Sequence, residues 1–172
     1  ADLGAEKFYN ILCRKSGLQP DLTVIVATAQ GLKMHGGVAL DRIKEPDMEG
    51  LRNGLANLDR HVANLRGFGQ TVVVVFNRFA TDTDEEMALL RRHCEEELHA
   101  PFVINNAFAE GGAGAEEMAR VVVEAAENNP SEPLKFTYED GDSIRTKIEK
   151  VAKNIYGAAG VSFAAPALKR IR

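Results

Sequence analysis

The sequence has few cysteines, no long apolar run and no excess of positive charge. Its 172 residues include only Cys13 and Cys94, which have neither the number nor the spacing of a disulfide framework or a zinc site. Two reduced thiols are typical of the cytoplasm, and we expect that location. The longest apolar run, residues 71–76, is far shorter than the ~20 residues that cross a bilayer, and no signal segment opens the chain. We therefore expect no membrane partner.

The charge balance also limits the choice of partner. The chain has 21 basic and 25 acidic residues, a formal net charge of −4 and a pI near 5.6. A nucleic-acid-binding protein usually has a basic patch and a high pI, so we expect no nucleic-acid partner. Hydrophobic residues make up 45% and charged residues 27% of the chain, which are ordinary values for a globular protein and exclude a disordered tail.

The length fits one domain or one large piece of a longer protein. The chain opens in a loop that already enters a helix, and residues 167–172 form an amphipathic pattern with no stop signal. We therefore expect a single α/β segment of a larger enzyme. Residues 1–127 would form a strand-and-helix core, and residues 128–172 a loop and C-terminal helices.

Two short β-branched runs, residues 22–27 and 71–76, are typical of strands covered on both faces, and residues 101–104 are a weaker third strand. Helical patterns separate and follow the strands. The apolar spacing predicts helices over residues 48–65, 84–98, 115–126 and 143–156, and Thr83 with Glu86 forms a capping-box signature. This alternation predicts βαβ units and a parallel sheet with flanking helices.

In such sheets, ligands bind beyond the carboxyl ends of the strands. Asn77 follows the second strand directly, and Asp82 comes shortly after it. Amide and carboxylate groups match the donors and acceptors of a purine, as in the Asn-Lys-x-Asp run of P-loop nucleotide hydrolases. The spacing to Asp82 is longer than in that motif, so a polar strand-end loop that caps a helix is an equally open interpretation.

Two phenylalanines lie in polar segments after neighbouring strands. Phe79 follows the second strand and Phe108 follows the third. Together the rings could sandwich a flat heterocycle, since aromatic stacking contributes about 0.5–1.5 kcal/mol beyond area burial. Alternatively, both are ordinary core residues.

The remaining candidates are weaker. The glycines of residues 111–114, which include Gly111 and Gly112, could present backbone N–H groups to an anion or form a plain turn. Lys33 could contact a phosphate or carboxylate beside His35, or be a solvated loop lysine. A phosphate-binding GxxxxGK(S/T) motif is absent from the sequence. We interpret His61, His93 and His99 as surface residues and expect no metal site.

Several strings resemble the formate–tetrahydrofolate ligase (formyltetrahydrofolate synthetase) family. The similarity runs in order from end to end of the chain. It is carried by residues 1–8 (ADLGAEKF), 13–18 (CRKSGL), 32–37 (LKMHGG), 54–58 (GLANL), 77–83 (NRFATDT), 109–112 (AEGG) and 155–158 (IYGA).

The resemblance implies an ATP-dependent ligase that forms 10-formyltetrahydrofolate from formate and tetrahydrofolate through formyl phosphate. ATP with Mg²⁺ and tetrahydrofolate would be substrates of a full protein that is a homo-oligomer. It implies a P-loop-hydrolase-like fold, incomplete here because the P-loop lies upstream in the family. This segment would supply the folate-side loops and be inactive alone.

The resemblance also assigns residues. The family's pterin ring stacks between two aromatic side chains whose positions match Phe79 and Phe108, although tryptophan is commoner at the second. Asp2 and Gly4 would belong to a loop near the nucleotide. The family usually has lysine where Arg78 stands.

Two other hypotheses remain open from the residues alone. One is a non-catalytic nucleotide-binding or regulatory module of the P-loop superfamily, in which Asn77 and Asp82 read a base. The other is a structural or oligomerising piece whose exposed helices make subunit contacts.

Overall fold

A computed structural model describes residues 4–171 of the chain. Strands and helices alternate along it, as the sequence predicts. The strands are β1 (Thr23–Ala27), β2 (Val72–Asn77) and β3 (Phe102–Asn105). The helical segments are α1 (Ala5–Lys7), α2 (Arg14–Ser16), α3 (Ala29–His35), α4 (Met48–Gly67), α5 (Asp84–Arg92), α6 (Ala107–Glu110), α7 (Glu116–Asn128), α8 (Ile144–Asn154) and α9 (Ala165–Arg170). Phe8–Cys13 and His93–Glu97 continue α1 and α5 as π-helical turns, and Gly111–Ala115 is a 3₁₀ turn.

Within residues 4–171 the three strands form one parallel sheet in the order β1-β2-β3. The predicted α/β fold, a parallel sheet with flanking helices, is therefore confirmed. Since β2 lies in the middle, its side chains from Val72 to Phe76 are buried on both faces. The expectation that β1 is covered on both faces is wrong, because β1 is an edge strand here and Val24 and Val26 are exposed.

The core lies mainly on the face of the sheet covered by α4 and α5. The predicted apolar stripe of α4 is buried there, with Leu51, Leu58 and Val62 almost fully removed from water. Each such side chain contributes about 1.5–3 kcal/mol through burial. On the other face Val73, Val75 and Val103 pack against the apolar side of α7. This cover leaves the strand ends, and the face of β1 that carries Val24 and Val26, as the accessible parts of the sheet.

A glycine contact sets how closely α3 and α4 approach. A Cβ atom at Gly54 would collide with the backbone carbonyl of Leu32. Any larger residue would push α3 away from α4. Position 54 is therefore important for the arrangement of the groups that α3 carries.

The C-terminal residues return to the core. The side chain of Asn10 donates to Thr137 Oγ1 and accepts from the Thr137 backbone N–H, both at 2.9 Å. Asn64 donates to the carbonyl oxygen of Ile155 at 3.1 Å. No helix within residues 4–171 has the length and apolarity to cross a membrane.

Two local expectations are wrong. The stretch after β1 is a helix rather than a loop, because Thr28 caps α3 by accepting a hydrogen bond from the Gly31 N–H at 3.0 Å. His93 is buried rather than on the surface, and its Nε2 lies 2.6 Å from Asp59 Oδ1. Both differences arise from contacts that a periodic pattern does not report.

Candidate functional site

A cleft of about 550 Å³ opens at the carboxyl edge of the sheet. It lies where the segments after β2 and β3 meet, which is where ligands bind in open parallel sheets. The Asn105 side-chain amide donates to Asn77 Oδ1 at 2.8 Å and ties the two strand ends together. We call this cleft the Phe79–Phe108 cleft. Its lining consists of Gln30, Lys44, Arg78, Phe79, Ala80, Thr81, Asn106, Phe108, Ala109 and Glu110.

Both candidate rings belong to this cleft, and neither turns into the core. Phe79 is 40% exposed and Phe108 is 95% exposed. They come from the loops of adjacent parallel strands and line the same space. Both rings therefore present apolar surface to the cleft.

The loop that carries Phe79 is closed by a buried carboxylate. Asp82 Oδ2 accepts a hydrogen bond from the Phe79 N–H at 2.8 Å, and the Asp82 N–H donates to the Phe79 carbonyl at 3.0 Å. Asp82 Oδ1 is buried and has no hydrogen-bond partner in the part of the chain that the structure describes. Burial raises the pKa of Asp82 above its ordinary value, against the opposing effect of the Phe79 N–H.

A capping box follows this loop. Thr83 Oγ1 accepts from the Glu86 N–H at 3.2 Å, and Glu86 Oε2 accepts from the Thr83 N–H at 3.0 Å. The sequence signature at these two positions is therefore confirmed. The box fixes the start of α5, which begins five residues after Phe79.

Lys33 does not face the cleft. Its ammonium lies 2.8 Å from Glu86 Oε1, and both side chains are buried. Burial pushes the pKa of Glu86 up, but hydrogen bonds from Lys33, Thr83 and Asp47 outweigh it and hold that pKa below its ordinary value. The interpretation of Lys33 as a solvated loop lysine is wrong, because it lies within α3 and has a buried partner.

The segment that carries Phe108 is built differently. The Asn106 N–H donates to the Gly114 carbonyl at 3.1 Å, and the N–H groups of Ala109 and Glu110 donate to the Asn106 carbonyl at 3.0 Å. A Cβ atom at Gly114 would lie 2.6 Å from the backbone carbonyl atoms of Asn106. Glycine is therefore required where this turn closes on itself.

Other candidate residues lie near the cleft but do not line it. Asn77 Oδ1 accepts from Asn105, and the bonded oxygen of Asp82 is turned to its own loop, so these two acceptors are directed at protein groups. Gly111 and Gly112 are exposed in the 3₁₀ turn, and Gly111 has a φ of 63°.

The structure describes two of the remaining three candidates. His35 is half-buried at the end of α3. Gly4 immediately precedes α1, and Asp2 lies outside the described residues.

Three residues of the lining were not predicted as site residues. Gln30 is on the first turn of α3, Lys44 lies in the irregular stretch before α4, and Arg78 follows β2. Arg78 pairs with Asp84 at 3.5 Å on the surface. The position of Arg78 directly after a strand was a signal in the sequence for a site residue. Lys44 follows no strand, so the sequence contained no such signal for it. These residues add two cations to the cleft.

A second cavity of about 530 Å³ lies at the amino ends of the strands. It is lined in part by Thr71 and Val72 at the start of β2 and by Pro101 and Phe102 at the start of β3. Amino ends of strands are not the usual ligand sites of parallel sheets. Although the two cavities have similar volumes, the Phe79–Phe108 cleft is therefore the candidate site.

Comparison with known proteins covers the whole chain. The family model described as formate–tetrahydrofolate ligase matches residues 1–172. Curated proteins named formate–tetrahydrofolate ligase match at 70% identity in Bacteroides thetaiotaomicron and 50% in Symbiobacterium thermophilum, each over 100% of this chain and 31% of that protein. The protein of the same name in Methylorubrum populi is 46% identical over 99% of this chain and 30% of its own length. The chain thus spans about 31% of these relatives, and it belongs to the formate–tetrahydrofolate ligase family.

Proposed function

We propose that the complete protein joins formate to tetrahydrofolate at the expense of ATP, and that this segment supplies the folate side of the site. The observation that carries the proposal is the convergence of Phe79 and Phe108 on one cleft beyond adjacent parallel strands. Family membership supports the reaction, and the cleft supports the role of this segment within it.

The chemistry needs an activated carboxylate. A formate oxygen attacks the γ-phosphorus of ATP, ADP leaves, and formyl phosphate forms. The N10 nitrogen of tetrahydrofolate then attacks the formyl carbon, phosphate leaves, and the nitrogen loses its proton. Catalysis of both steps depends mainly on positioning and on charge stabilisation.

This segment binds and orients the folate. The faces of Phe79 and Phe108 stack on the pterin, each ring contributing about 0.5–1.5 kcal/mol beyond the area it buries. Lys44 and Arg78 give the cleft a positive side that suits an anionic ligand.

Other parts of the protein hold the nucleotide phosphates. The sequence has no GxxxxGK(S/T) motif, and residues 4–171 contain no cluster of three His, Cys, Asp or Glu side chains arranged around a metal ion. We further propose that the full protein is a cytoplasmic homo-oligomer.

Titration separates this function from a nucleotide-reading module. The full-length enzyme should form 10-formyltetrahydrofolate only with ATP, formate and tetrahydrofolate all present, and the isolated segment should form none. The segment should bind a folate analogue and not a purine nucleotide. Turnover by the isolated segment, or binding of the nucleotide alone, would contradict the proposal.

A further inference from the structure

The buried ion pair between Lys33 and Glu86 touches every segment on one side of the Phe79–Phe108 cleft. Lys33 is 1% exposed, Glu86 is 0% exposed, and their charged atoms are 2.8 Å apart. Lys33 Nζ also donates to the Glu45 carbonyl at 2.8 Å. Glu86 Oε1 accepts from the Asp47 N–H at 3.4 Å, while its Oε2 accepts from the Thr83 N–H at 3.0 Å.

Each of these contacts lies within a few residues of a side chain that lines the cleft. Glu45 follows Lys44, and Lys33 is one helical turn after Gln30. Thr83 follows Thr81 and the loop that Asp82 closes around the Phe79 backbone. One ion pair therefore joins α3, the 44–47 stretch and the 79–83 loop.

We propose that the Lys33–Glu86 pair is a positioning device for folate binding, which fixes Gln30, Lys44 and Phe79 relative to one another before the ligand arrives. The inference rests on the proposed function of the cleft. It also replaces the sequence interpretation of Lys33 as a nucleotide contact with a role inside the protein.

Energetics favour a positioning role over simple stabilisation. Taking two charges out of water costs as much as their attraction returns, so apolar residues of similar volume can often replace a buried pair without loss of stability. Removal of a single partner is different, because the remaining charge stays buried and unpaired. A double neutral variant with glutamine at position 86 therefore separates stability from geometry, because the glutamine oxygen can still accept the Thr83 N–H of the capping box.

The experiment uses the full-length enzyme with Lys33→Met, with Lys33→Met/Glu86→Gln, and with His93→Asn. The last is the matched control, because it removes a buried polar contact with Asp59 that lies away from the cleft. The readouts are the melting temperature and the KM values for tetrahydrofolate and ATP. Hydrogen exchange at residues 44–47 and 79–83 is measured alongside.

We expect the double variant to melt near the wild-type temperature, while its KM for tetrahydrofolate rises on the order of tenfold because a displaced positioning group costs one to two orders of magnitude. The KM for ATP should stay within about twofold. Lys33→Met alone should lose both stability and folate affinity. His93→Asn should lose stability without a change in either KM.

Three results would overturn the inference. They are an unchanged KM for tetrahydrofolate in the double variant, a rise in the KM for ATP instead, and unchanged hydrogen exchange at both segments. The exchange data also separate the two proposals. If the wild type makes no 10-formyltetrahydrofolate but both segments exchange faster in the double variant, the proposed function fails and the positioning role stands.

Discussion

The two sides of the Phe79–Phe108 cleft are built in different ways. On the Phe79 side, residues 77–83, the loop is closed by Asp82, capped by Thr83 and Glu86, and backed by Lys33. On the Phe108 side, residues 105–115, the ring is 95% exposed on a single helical turn whose hydrogen bonds are mostly between backbone groups. The backbone that carries Phe79 is held in place before the ligand binds, whereas the Phe108 ring is open to solvent.

This difference between the two sides indicates how the free energy of pterin binding is divided between Phe79 and Phe108. A ring that is already fixed contributes its stacking energy in full, whereas an exposed ring must first be ordered, which costs about 0.5–1.5 kcal/mol for a side chain. We therefore expect the Phe79 side to carry most of the affinity for the pterin. The Phe108 side is expected to adjust to the ligand.

The largest expected effect is that of Phe79→Ala. It should weaken tetrahydrofolate binding to the full-length enzyme by about 1–3 kcal/mol, because it removes a fixed stacking partner. Equilibrium titration measures this change. Phe8→Ala is the matched control, since Phe8 is 44% exposed and lies outside the cleft lining. Equal losses in the two variants would refute the stacking role.

Phe108→Ala should have a smaller effect, about 1 kcal/mol, because part of the stacking energy of this ring is spent on ordering it. Phe108→Trp should tighten binding, since the indole offers a larger face to the pterin. The same titration measures both variants. If Phe108→Ala lost as much affinity for tetrahydrofolate as Phe79→Ala, or more, the proposed difference between the two sides would be wrong.

Gly114→Ala should move the Phe108 ring without removing it. The added Cβ would lie 2.6 Å from the Asn106 carbonyl, so the turn must shift, and we expect a loss of about 0.5–1 kcal/mol in folate affinity. Gly112→Ala is the control, because a Cβ there would meet no atom within 4 Å. The same loss in both variants would show that the position of the turn is unimportant.

Low pH should lower the free energy of unfolding by protonating Glu86, which supports the Phe79 side of the cleft. Since the pKa of Glu86 in the folded protein is below its ordinary value of 4.5, its contribution to stability is present above pH 4.5 and is lost as the pH falls through the folded pKa. Asp82, whose pKa is raised by burial, acts in the opposite direction. Urea unfolding between pH 7 and about 4 should therefore show a smaller acid loss in Glu86→Gln than in the wild type. Parallel curves would contradict this role.

The smallest expected effect of changes in the cleft is on the alkylation of the two buried thiols, Cys13 and Cys94. Burial raises the pKa of Cys94 to about 12, and it also raises the pKa of Cys13. Both should resist alkylation at about pH 8 until the protein unfolds, because the thiolate is the reactive form. Variants on either side of the cleft should leave that protection unchanged. Faster alkylation in Phe79→Ala or Phe108→Ala would mean that these changes reach the core.

Much of the fold follows from the sequence pattern. The β-branched runs of β1 and β2, the weaker signal for β3, the apolar stripe of α4 and the Thr83–Glu86 box are local signals, and the structure confirms each of these elements. The convergence of Phe79 and Phe108 follows from parallel topology, because the carboxyl ends of adjacent strands meet at one edge. The candidate cleft therefore follows from strand order together with two aromatic residues.

Two of the errors concern contacts between distant positions, whereas the missed helix α3 begins at a local cap between Thr28 and Gly31. The burial of Lys33 depends on Glu86, which lies 53 residues away, and the burial of His93 depends on Asp59, 34 residues away. No local pattern reports such a partner. Likewise, the composition of β1 and β2 is similar, and only the strand order shows that β1 is at an edge.

The most direct test of the central claim is a crystal structure of the full-length enzyme with bound tetrahydrofolate. The pterin should lie between Phe79 and Phe108, with both ring faces about 3.5–4 Å from it. The Phe108 side chain should have moved to reach the ligand, while the Phe79 loop and the Lys33–Glu86 pair should be unchanged. A pterin bound outside this cleft, or bound with neither ring in contact, would contradict the account.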